Sequence, residues 1–217
     1  MAKPRRTKVL ITVFLLVVQI CHTRSEKVKV DLYMEGLCKS CRRYLKDIVY
    51  PLVGNGLIDW VDVRLIASGN AHMRDDGEIH CQHGDDECLM NAAVECAMSL
   101  SDDPKVWLPV VACLEADVEA ALASENYVQY CADKGKFSAQ DIIGCALGDK
   151  GEKLFEKAFH ATQDLDVKHR WVPWLVVNNM PVYDSDIYLQ QLICVTIPQD
   201  ERPDVCKTNQ FADGYIE

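Results

Sequence analysis

The sequence predicts an α/β domain that is interrupted midway by a disulfide-rich, mostly helical insertion. Residues 27–34 alternate polar and apolar side chains, which is typical of a strand, and an amphipathic helical pattern follows from residue 41. Strand-like patterns return at 57–67 and at 174–177. Between these two, at about 68–151, alanine-rich helical patterns and six cysteines replace the alternation.

The first strand, first helix and second strand are expected to form a βαβ unit. In the helix, Tyr44, Leu45 and Ile48 fall on one face. The strand at 57–67 follows, and a crossover between parallel strands is expected to be right-handed. This unit places the start of the helix at one edge of the sheet.

Helices are predicted through the middle of the chain. Within the insertion they lie at 91–100, 109–123 and 137–147, and Gly148 is expected to end the last of them. Another helix is predicted at 152–162, where apolar residues recur at helical spacing.

The sheet is expected to resume at 174–177. Asn178-Asn179 is predicted to form a turn into a strand at 181–183, and a final helix at 186–195 packs on the sheet. The element order is therefore β-α-β, insertion, α, β-β-α. That order is typical of a thioredoxin-like fold with an insertion in its middle.

Residues 1–25 are predicted to be a signal peptide. A basic stretch precedes an apolar run at 9–20, which suits a signal-peptide core but is short for a membrane span of about 20 residues. Thr23 and Ser25 are small residues that suit cleavage near Ser25. An uncleaved anchor is the disfavoured alternative. The domain at 26–217 is thus expected in the secretory pathway, without stable membrane insertion.

Charge and cysteine content restrict the function classes. The chain has 11 cysteines, and loss of Cys21 with the signal peptide leaves an even number, which predicts disulfides in an oxidising compartment. The net charge is −10, and it becomes about −15 because five basic residues leave with the signal peptide. So acidic a domain is not expected to bind nucleic acid.

Cys38-Lys39-Ser40-Cys41 lies on the opening turn of the first helix, directly after a strand. This is the thioredoxin-like position for a redox pair, and the free N–H groups and positive end of a helix stabilise a thiolate there. Cys38, at the N-cap, is predicted to be the nucleophile. Cys41, inside the first turn, is predicted to resolve the mixed disulfide.

The other cysteines of the domain are predicted to form structural disulfides. They are Cys81, Cys88, Cys96, Cys113, Cys131, Cys145, Cys194 and Cys206. Eight cysteines allow 105 pairings and the sequence does not choose among them, although Cys194 and Cys206 are a candidate pair. A zinc site that adds ligands from residues 80–88 is an alternative, but an oxidising compartment favours disulfides. We therefore expect no metal and no cofactor.

Val172-Pro173 is the second candidate site, because it directly precedes the strand at 174–177. In thioredoxin-like folds a cis-proline at this place packs against the cysteine pair and leaves backbone groups free to bind an extended substrate. We therefore expect a cis bond and assign Val172 and Pro173 to substrate binding. An ordinary trans proline at a strand start is the alternative.

The most specific string in the chain is residues 81–96, Cys-Gln-His-Gly-Asp-Asp-Glu-Cys-Leu-Met-Asn-Ala-Ala-Val-Glu-Cys. Its pattern alone predicts a turn that runs into a helix. Cys88 and Cys96 are expected to bond to different segments. His83, beside a glycine, is interpreted as a turn residue, with assistance to thiol chemistry as the alternative.

This string resembles the signature of the gamma-interferon-inducible lysosomal thiol reductase (GILT) family, C-Q-H-G-x-x-E-C-x-x-N-x-x-x-x-C, at every fixed position. Segments 145–151 and 172–178 also resemble family segments, so the resemblance spans about residues 28–206. It implies a thiol oxidoreductase that reduces disulfides in protein substrates at acidic pH through Cys38 and Cys41. A small thiol would serve as reductant. The string at 81–96 is assigned to structure rather than chemistry.

Acidic operation implies a low pKa for the attacking thiol. An ordinary thiol of pKa about 8.5 is only about 0.03% ionised at pH 5. Lowering the pKa increases the thiolate fraction more than it reduces nucleophilicity. We therefore expect the pKa of Cys38 to lie below about 6.

Two other functions are alternatives, and the first of them would use the same residues. A disulfide oxidase or isomerase differs only in redox poise, and a secreted binding protein on this scaffold would need little turnover. The chain has no Asn-x-Ser/Thr sequon, so delivery by glycan tags is not expected. Secretion and the endosomal–lysosomal pathway are the expected destinations.

Overall fold

The computed structural model describes residues 26–183 and 189–207. The predicted signal peptide and the first residues of the predicted final helix, 186–188, lie outside these ranges. The strands are β1 (Val28–Met34), β2 (Val61–Ala67), β3 (His72–Met73), β4 (Ile79–His80), β5 (Trp174–Val177) and β6 (Met180–Val182). The α-helices are α1 (Lys39–Tyr44), α2 (Pro51–Gly54), α3 (Asp85–Met98), α4 (Pro104–Ala116), α5 (Val118–Ala123), α6 (Glu125–Ala132), α7 (Ala139–Ala146), α8 (Asp149–Gln163) and α9 (Leu189–Thr196).

The main sheet has four strands in the order β2-β1-β5-β6. β1 is parallel to β2, with Val30 opposite Val63, and antiparallel to β5, with Leu32 opposite Leu175. β5 and β6 form an antiparallel hairpin, while β3 and β4 pair separately. The predicted α/β architecture is confirmed, and β1 lies at its centre.

Successive side chains of β1 point to opposite faces of the sheet, and both faces are buried. Leu32 and Met34 point into the main core, which also contains apolar side chains of α1, α3 and α4. Tyr33 points to the opposite face, where it packs with Ile66 and Trp174. Because both faces are covered, β1 and the turn that follows it are held in place.

The predicted second strand is wrong at its start. Residues Leu57–Trp60 form a 3₁₀ turn, and β2 begins only at Val61. Gly56 precedes the turn with φ of 81°, a left-handed conformation that glycine adopts readily, and Leu57 and Ile58 are both buried.

The first predicted helix of the insertion begins earlier than expected, at Asp85 instead of residue 91. Asp85, Asp86 and Glu87 occupy its first turn, where carboxylates interact favourably with the positive end of the helix. The signature string is therefore a short turn at 81–84 that runs into a helix, as predicted, and the helix takes up more of the string than expected.

The other helical boundaries also shift. The predicted helix at 109–123 is two helices, because Asp117 caps α5 by accepting the Ala120 N–H at 3.0 Å. Ser138 and Asp141 form a capping box that starts α7. Gly148, expected to end that helix, instead precedes α8. The helix α6 and the β3–β4 hairpin were not predicted.

The end of the domain follows the predicted order. α8 contains the predicted 152–162, and β5 is the predicted strand at 174–177. Asn178 and Asn179 both have positive φ in the predicted turn. The described part of the final helix is α9.

Four disulfides staple the helical region and the C-terminal segment. The pairs are Cys81–Cys88, Cys96–Cys145, Cys113–Cys131 and Cys194–Cys206. Cys88 and Cys96 bond to different segments, as expected. Cys96–Cys145 joins α3 to α7 across 49 residues, so it constrains the unfolded chain most.

We expect loss of the Cys96–Cys145 bond to destabilise the fold more than loss of Cys194–Cys206. Loop-closure entropy predicts losses of about 4 and about 3 kcal/mol in the free energy of unfolding. Paired Cys→Ala variants, compared by guanidinium denaturation, measure the difference. A larger loss from the Cys194–Cys206 variant would contradict this account of the helical region.

Candidate functional site

The turn after β1 presents the cysteine pair. Cys38 is the N-cap residue of α1, and its N–H donates to the Glu35 carbonyl at 3.3 Å. The Gly36 N–H donates to Asn91 Oδ1 at 2.9 Å, which ties the turn to α3. A Cβ at Gly36 would lie 2.6 Å from the Met90 Cβ, so the close approach of α3 requires glycine here.

Cys38 is half-buried and stabilised as a thiolate. Its Sγ accepts the Cys41 N–H at 3.1 Å. The hydrogen bond from the Cys41 side chain, followed by the N–H groups of Cys41 and Ser40, lowers the pKa of Cys38 to about 7. Partial burial and the Glu35 carboxylate act in the opposite direction. The sulfur is therefore more acidic than an ordinary thiol.

Cys41 is fully buried under Cys38. Burial, followed by the neighbouring Cys38 sulfur, raises the pKa of the Cys41 thiol. The pair is therefore asymmetric, with one reachable thiolate and one protected thiol, and both cysteines are reduced. This arrangement suits attack by Cys38 and later attack by Cys41.

The pKa of Cys38 is lowered in the expected direction but not below about 6. The value of about 7 reflects two opposing effects that the sequence does not reveal. Partial burial penalises the thiolate, and Glu35 places a negative charge close by.

The loop before β5 approaches the Cys38 sulfur from the other side. The Val172–Pro173 bond is cis, as expected, and the Val172 carbonyl oxygen lies 3.9 Å from Cys38 Sγ. Trp171, which the sequence did not single out, is 40% exposed and packs edge-on against Trp174 at 5.3 Å between ring centroids. An exposed aromatic side chain thus directly precedes the residue whose carbonyl faces the reactive sulfur.

The two sulfurs that residues 80–88 could add to a zinc site are already paired in a disulfide. Cys81 and Cys88 bond to each other, so neither supplies a thiolate ligand. The Cys81 sulfur accepts a hydrogen bond from Asn91 Nδ2 at 3.8 Å, and the other end of Asn91 holds the Gly36 N–H. The disulfide and the turn before Cys38 are therefore connected through one buried side chain.

Three further charged groups gather behind the cysteine pair. His83 Nδ1 is hydrogen-bonded to Glu87 and lies 3.8 Å from Glu35 Oε1. Both carboxylates are buried, whereas His83 is 43% exposed. The ligand atoms of the three groups lie within 4.8 Å of one another, but His83 Nδ1 already bonds to Glu87. We therefore interpret the group as an ion-paired acid–base cluster.

Another buried acid lies on α4. Glu115 is 1% exposed, and among the described residues its carboxyl oxygens have no hydrogen-bond partner. Burial raises the pKa of Glu115 well above its ordinary value, against the opposing charge of Arg42. Burial therefore favours the protonated, neutral form of this carboxyl.

Comparison with known proteins matches the geometry. Residues 29–135 match the family described as gamma interferon inducible lysosomal thiol reductase (GILT). A mouse protein named gamma-interferon-inducible lysosomal thiol reductase is 31% identical, covering 85% of this chain and 73% of that protein. The chain belongs to the GILT family. A Carassius auratus protein of that name is 30% identical over 82% of this chain and 72% of its own.

A plant relative extends the family resemblance. The Arabidopsis thaliana protein named gamma-interferon-responsive lysosomal thiol protein is 32% identical over 75% of this chain, and the chain spans 66% of that protein. Membership in the GILT family, together with the fold, makes this chain a thiol–disulfide oxidoreductase.

Solved structures support the fold of this GILT-family chain. Chlamydia trachomatis DsbA superposes with a TM-score of 0.56 at 13% identity, over 89% of this chain and 97% of that one. The reduced oxidoreductase DsbG of Mycobacterium tuberculosis has the same TM-score at 14% identity, over 87% and 86%. These likenesses concern the fold alone and confirm that it is thioredoxin-like.

The sequence interpretation missed the place of the GILT signature in the site. The sequence interpretation assigns the string to structure and treats His83 as a turn residue, with assistance to thiol chemistry only as the alternative. The fold brings His83 and Glu87 to Glu35, which directly precedes the turn to Cys38. Their fixed positions in the signature were the only signal. Spacing along the chain does not show that residues 35 and 83 meet, because tertiary packing of α3 against the turn brings them together.

We expect iodoacetamide to label Cys38 and to spare Cys41 in the reduced, folded protein. Cys38 is half-exposed with a pKa of about 7, while Cys41 is buried and its pKa is raised. Peptide mass spectrometry at pH 7 measures both sites, and a fully denatured sample, in which both should react, is the control. Equal labelling of the two cysteines in the folded protein would contradict the asymmetry.

Proposed function

We propose that this enzyme reduces disulfide bonds in protein substrates in acid, with Cys38 as nucleophile and Cys41 as resolving thiol. The observation that carries the proposal is the pair itself. A reachable sulfur with a lowered pKa caps a helix directly above a buried thiol. The relatives named as thiol reductases, at 30% and 31% identity, support reduction as the direction.

The reaction balances as two thiol–disulfide exchanges. The Cys38 thiolate attacks one sulfur of the substrate disulfide, and the other sulfur leaves as a thiolate and takes a proton. The Cys41 thiol then gives up its proton to water and attacks Cys38 Sγ, which breaks the mixed disulfide, and the second substrate sulfur leaves as a thiolate that takes up a proton. The substrate gains two electrons and the enzyme is left with a Cys38–Cys41 disulfide. A small thiol reductant then reduces it.

The loop before β5 is the proposed substrate platform. The Val172 carbonyl lies 3.9 Å from Cys38 Sγ, and Pro173 leads into β5. An extended substrate segment that passes this loop would place its cystine at Cys38 and could donate a backbone N–H to the Val172 carbonyl. Trp171 offers an exposed ring to an apolar side chain next to that cystine.

A pKa of about 7 supports reduction in acid. Relative to an ordinary value of about 8.5, it makes the thiolate about 30-fold more abundant at pH 5. Intrinsic nucleophilicity falls about sixfold over the same shift, so the net gain is about fivefold. At pH 7 the net gain is still about threefold. The lowered pKa therefore supports turnover in acid without confining it to acid.

The proposed setting is the secretory pathway, ending in endosomes and lysosomes or outside the cell. The relatives are named as lysosomal proteins, and the four disulfides are typical of a protein that folds in an oxidising compartment. In the described ranges, 26–183 and 189–207, helices are too short or too polar to cross a membrane. The predicted signal peptide supplies the entry step of this proposal.

Oxidase or isomerase activity and a binding role are the competing functions. Oxidase and isomerase activity would use the same two cysteines, and the direction depends on the potential of the Cys38–Cys41 disulfide against its partners. A binding protein would not need a reachable, acidified sulfur above a buried thiol. Measured turnover separates the enzyme from the binding protein.

We expect Cys38→Ser to abolish disulfide reduction, by at least about a thousandfold, because the hydroxyl is not a nucleophile at pH 5. Reduction of a disulfide-containing protein with a small thiol as donor, followed at pH 5, measures this. The matched control is the double variant Cys194→Ser with Cys206→Ser, which removes two sulfurs away from the site and should keep most activity. If wild type and Cys38→Ser reduce the substrate equally, the binding protein is the better account.

A further inference from the structure

The cluster of Glu35, His83 and Glu87 has an unbalanced charge. Glu35 directly follows β1, His83 precedes α3, and Glu87 lies in the first turn of α3. The two carboxylates are 2% and 0% exposed, and only one imidazole stands between them. With both acids ionised and His83 protonated, the buried group carries one net negative charge. Such a charge is costly away from water.

This negative charge lies close to the reacting sulfur. The Cys38 N–H donates to the Glu35 carbonyl, and the Glu35 carboxylate raises the pKa of Cys38. Burial raises the pKa of Glu35 itself, with the Asn70 N–H at 2.9 Å partly opposing it. Glu35 therefore takes up a proton at a higher pH than an ordinary glutamate does.

The other titratable groups near Cys38 do not reverse this effect of Glu35 in acid. Cys41, on α1, keeps its proton. Burial raises the pKa of Glu115, on α4, well above its ordinary value, which disfavours its charged form. The hydrogen bond with Glu87 raises the pKa of the His83 imidazole, which favours its positive charge as the pH falls. Glu35 is thus the carboxylate that acts on Cys38 and gains a proton as the pH falls.

We propose that Glu35, His83 and Glu87 are positioning residues for Cys38 that favour its thiolate in acid. As the pH falls, Glu35 gains a proton and its negative charge is removed, while Glu87 holds the imidazolium of His83 in place. The proposal rests on the proposed reduction of disulfides in acid. It gives the signature residues His83 and Glu87 a part in the chemistry that the mechanism above does not use.

The sign of the effect follows from linkage. Protonated Glu35 makes Cys38 easier to ionise, and reciprocally the Cys38 thiolate makes Glu35 easier to protonate. The two groups titrate together, so the thiolate fraction should fall by less than tenfold per pH unit where Glu35 takes up its proton. A thiol without such a neighbour loses a full factor of ten per unit.

The test is the pH dependence of Cys38 alkylation by iodoacetamide between pH 4.5 and 9, in the presence of a chelator. We expect Glu35→Gln to lower the midpoint by about one pH unit and to converge with wild type toward the acid end of the range, as Glu35 of the wild type gains its proton. His83→Gln should raise the midpoint by about one unit. Glu87→Gln should not raise it, because any positive charge that His83 loses with its partner is offset by the negative charge that residue 87 no longer carries.

Glu95→Gln is the matched control. Glu95 is a partly buried acid that also accepts a backbone N–H, from Ala67 at 2.8 Å, and desolvation raises its pKa to about 7. It is not among the groups that act on Cys38. The control should leave the Cys38 profile unchanged. Glutamine at residue 35 can still accept the Asn70 N–H, so the turn keeps its hydrogen bond.

Two results would overturn the proposal. One is a Glu35→Gln profile that overlies wild type at every pH. The other is a shift of Glu35→Gln and His83→Gln in the same direction, which loss of structure would produce. Failure of wild type to reduce a disulfide at pH 5 would instead overturn the proposed function, because alkylation of Cys38 needs no substrate.

Discussion

The site depends on the hydrogen bonds that Cys41 donates to the Cys38 sulfur. The Cys41 N–H reaches Cys38 Sγ at 3.1 Å, and its thiol contributes the largest lowering of the Cys38 pKa. These bonds exist only because β1 is fixed at the centre of the sheet and the turn after it starts α1 at Cys38. The same geometry buries Cys41. One local arrangement therefore both acidifies the attacking sulfur and protects the resolving one.

The helical region supports this turn directly. Asn91, on α3, holds the Gly36 N–H and also contacts the Cys81 sulfur. His83 and Glu87, from the same string, meet Glu35 behind the pair. The insertion therefore contributes directly to the structure of the site. It supplies polar side chains that the short turn could not provide from its own sequence.

Local patterns predicted the parts of this molecule that local physics determines. The alternation at 27–34 and the helical start at Cys38 both follow from side-chain periodicity, and they located the pair. The strand predicted from residue 57 was wrong because a left-handed Gly56 starts a 3₁₀ turn. The meeting of Glu35 with His83 was missed because it depends on packing between segments far apart in the chain. The pKa of Cys38 was expected too low for the same reason.

The central claim is that Cys38, and not another cysteine, bonds to the substrate. The Cys41→Ser variant tests it most directly, because a hydroxyl at residue 41 can still donate to Cys38 but cannot resolve the mixed disulfide. After incubation with a disulfide-containing protein at pH 5, mass spectrometry of the unreduced complex should find the substrate cysteine joined to Cys38, and a reductant should release it. A complex joined through any other cysteine, or no complex at all, would contradict the account.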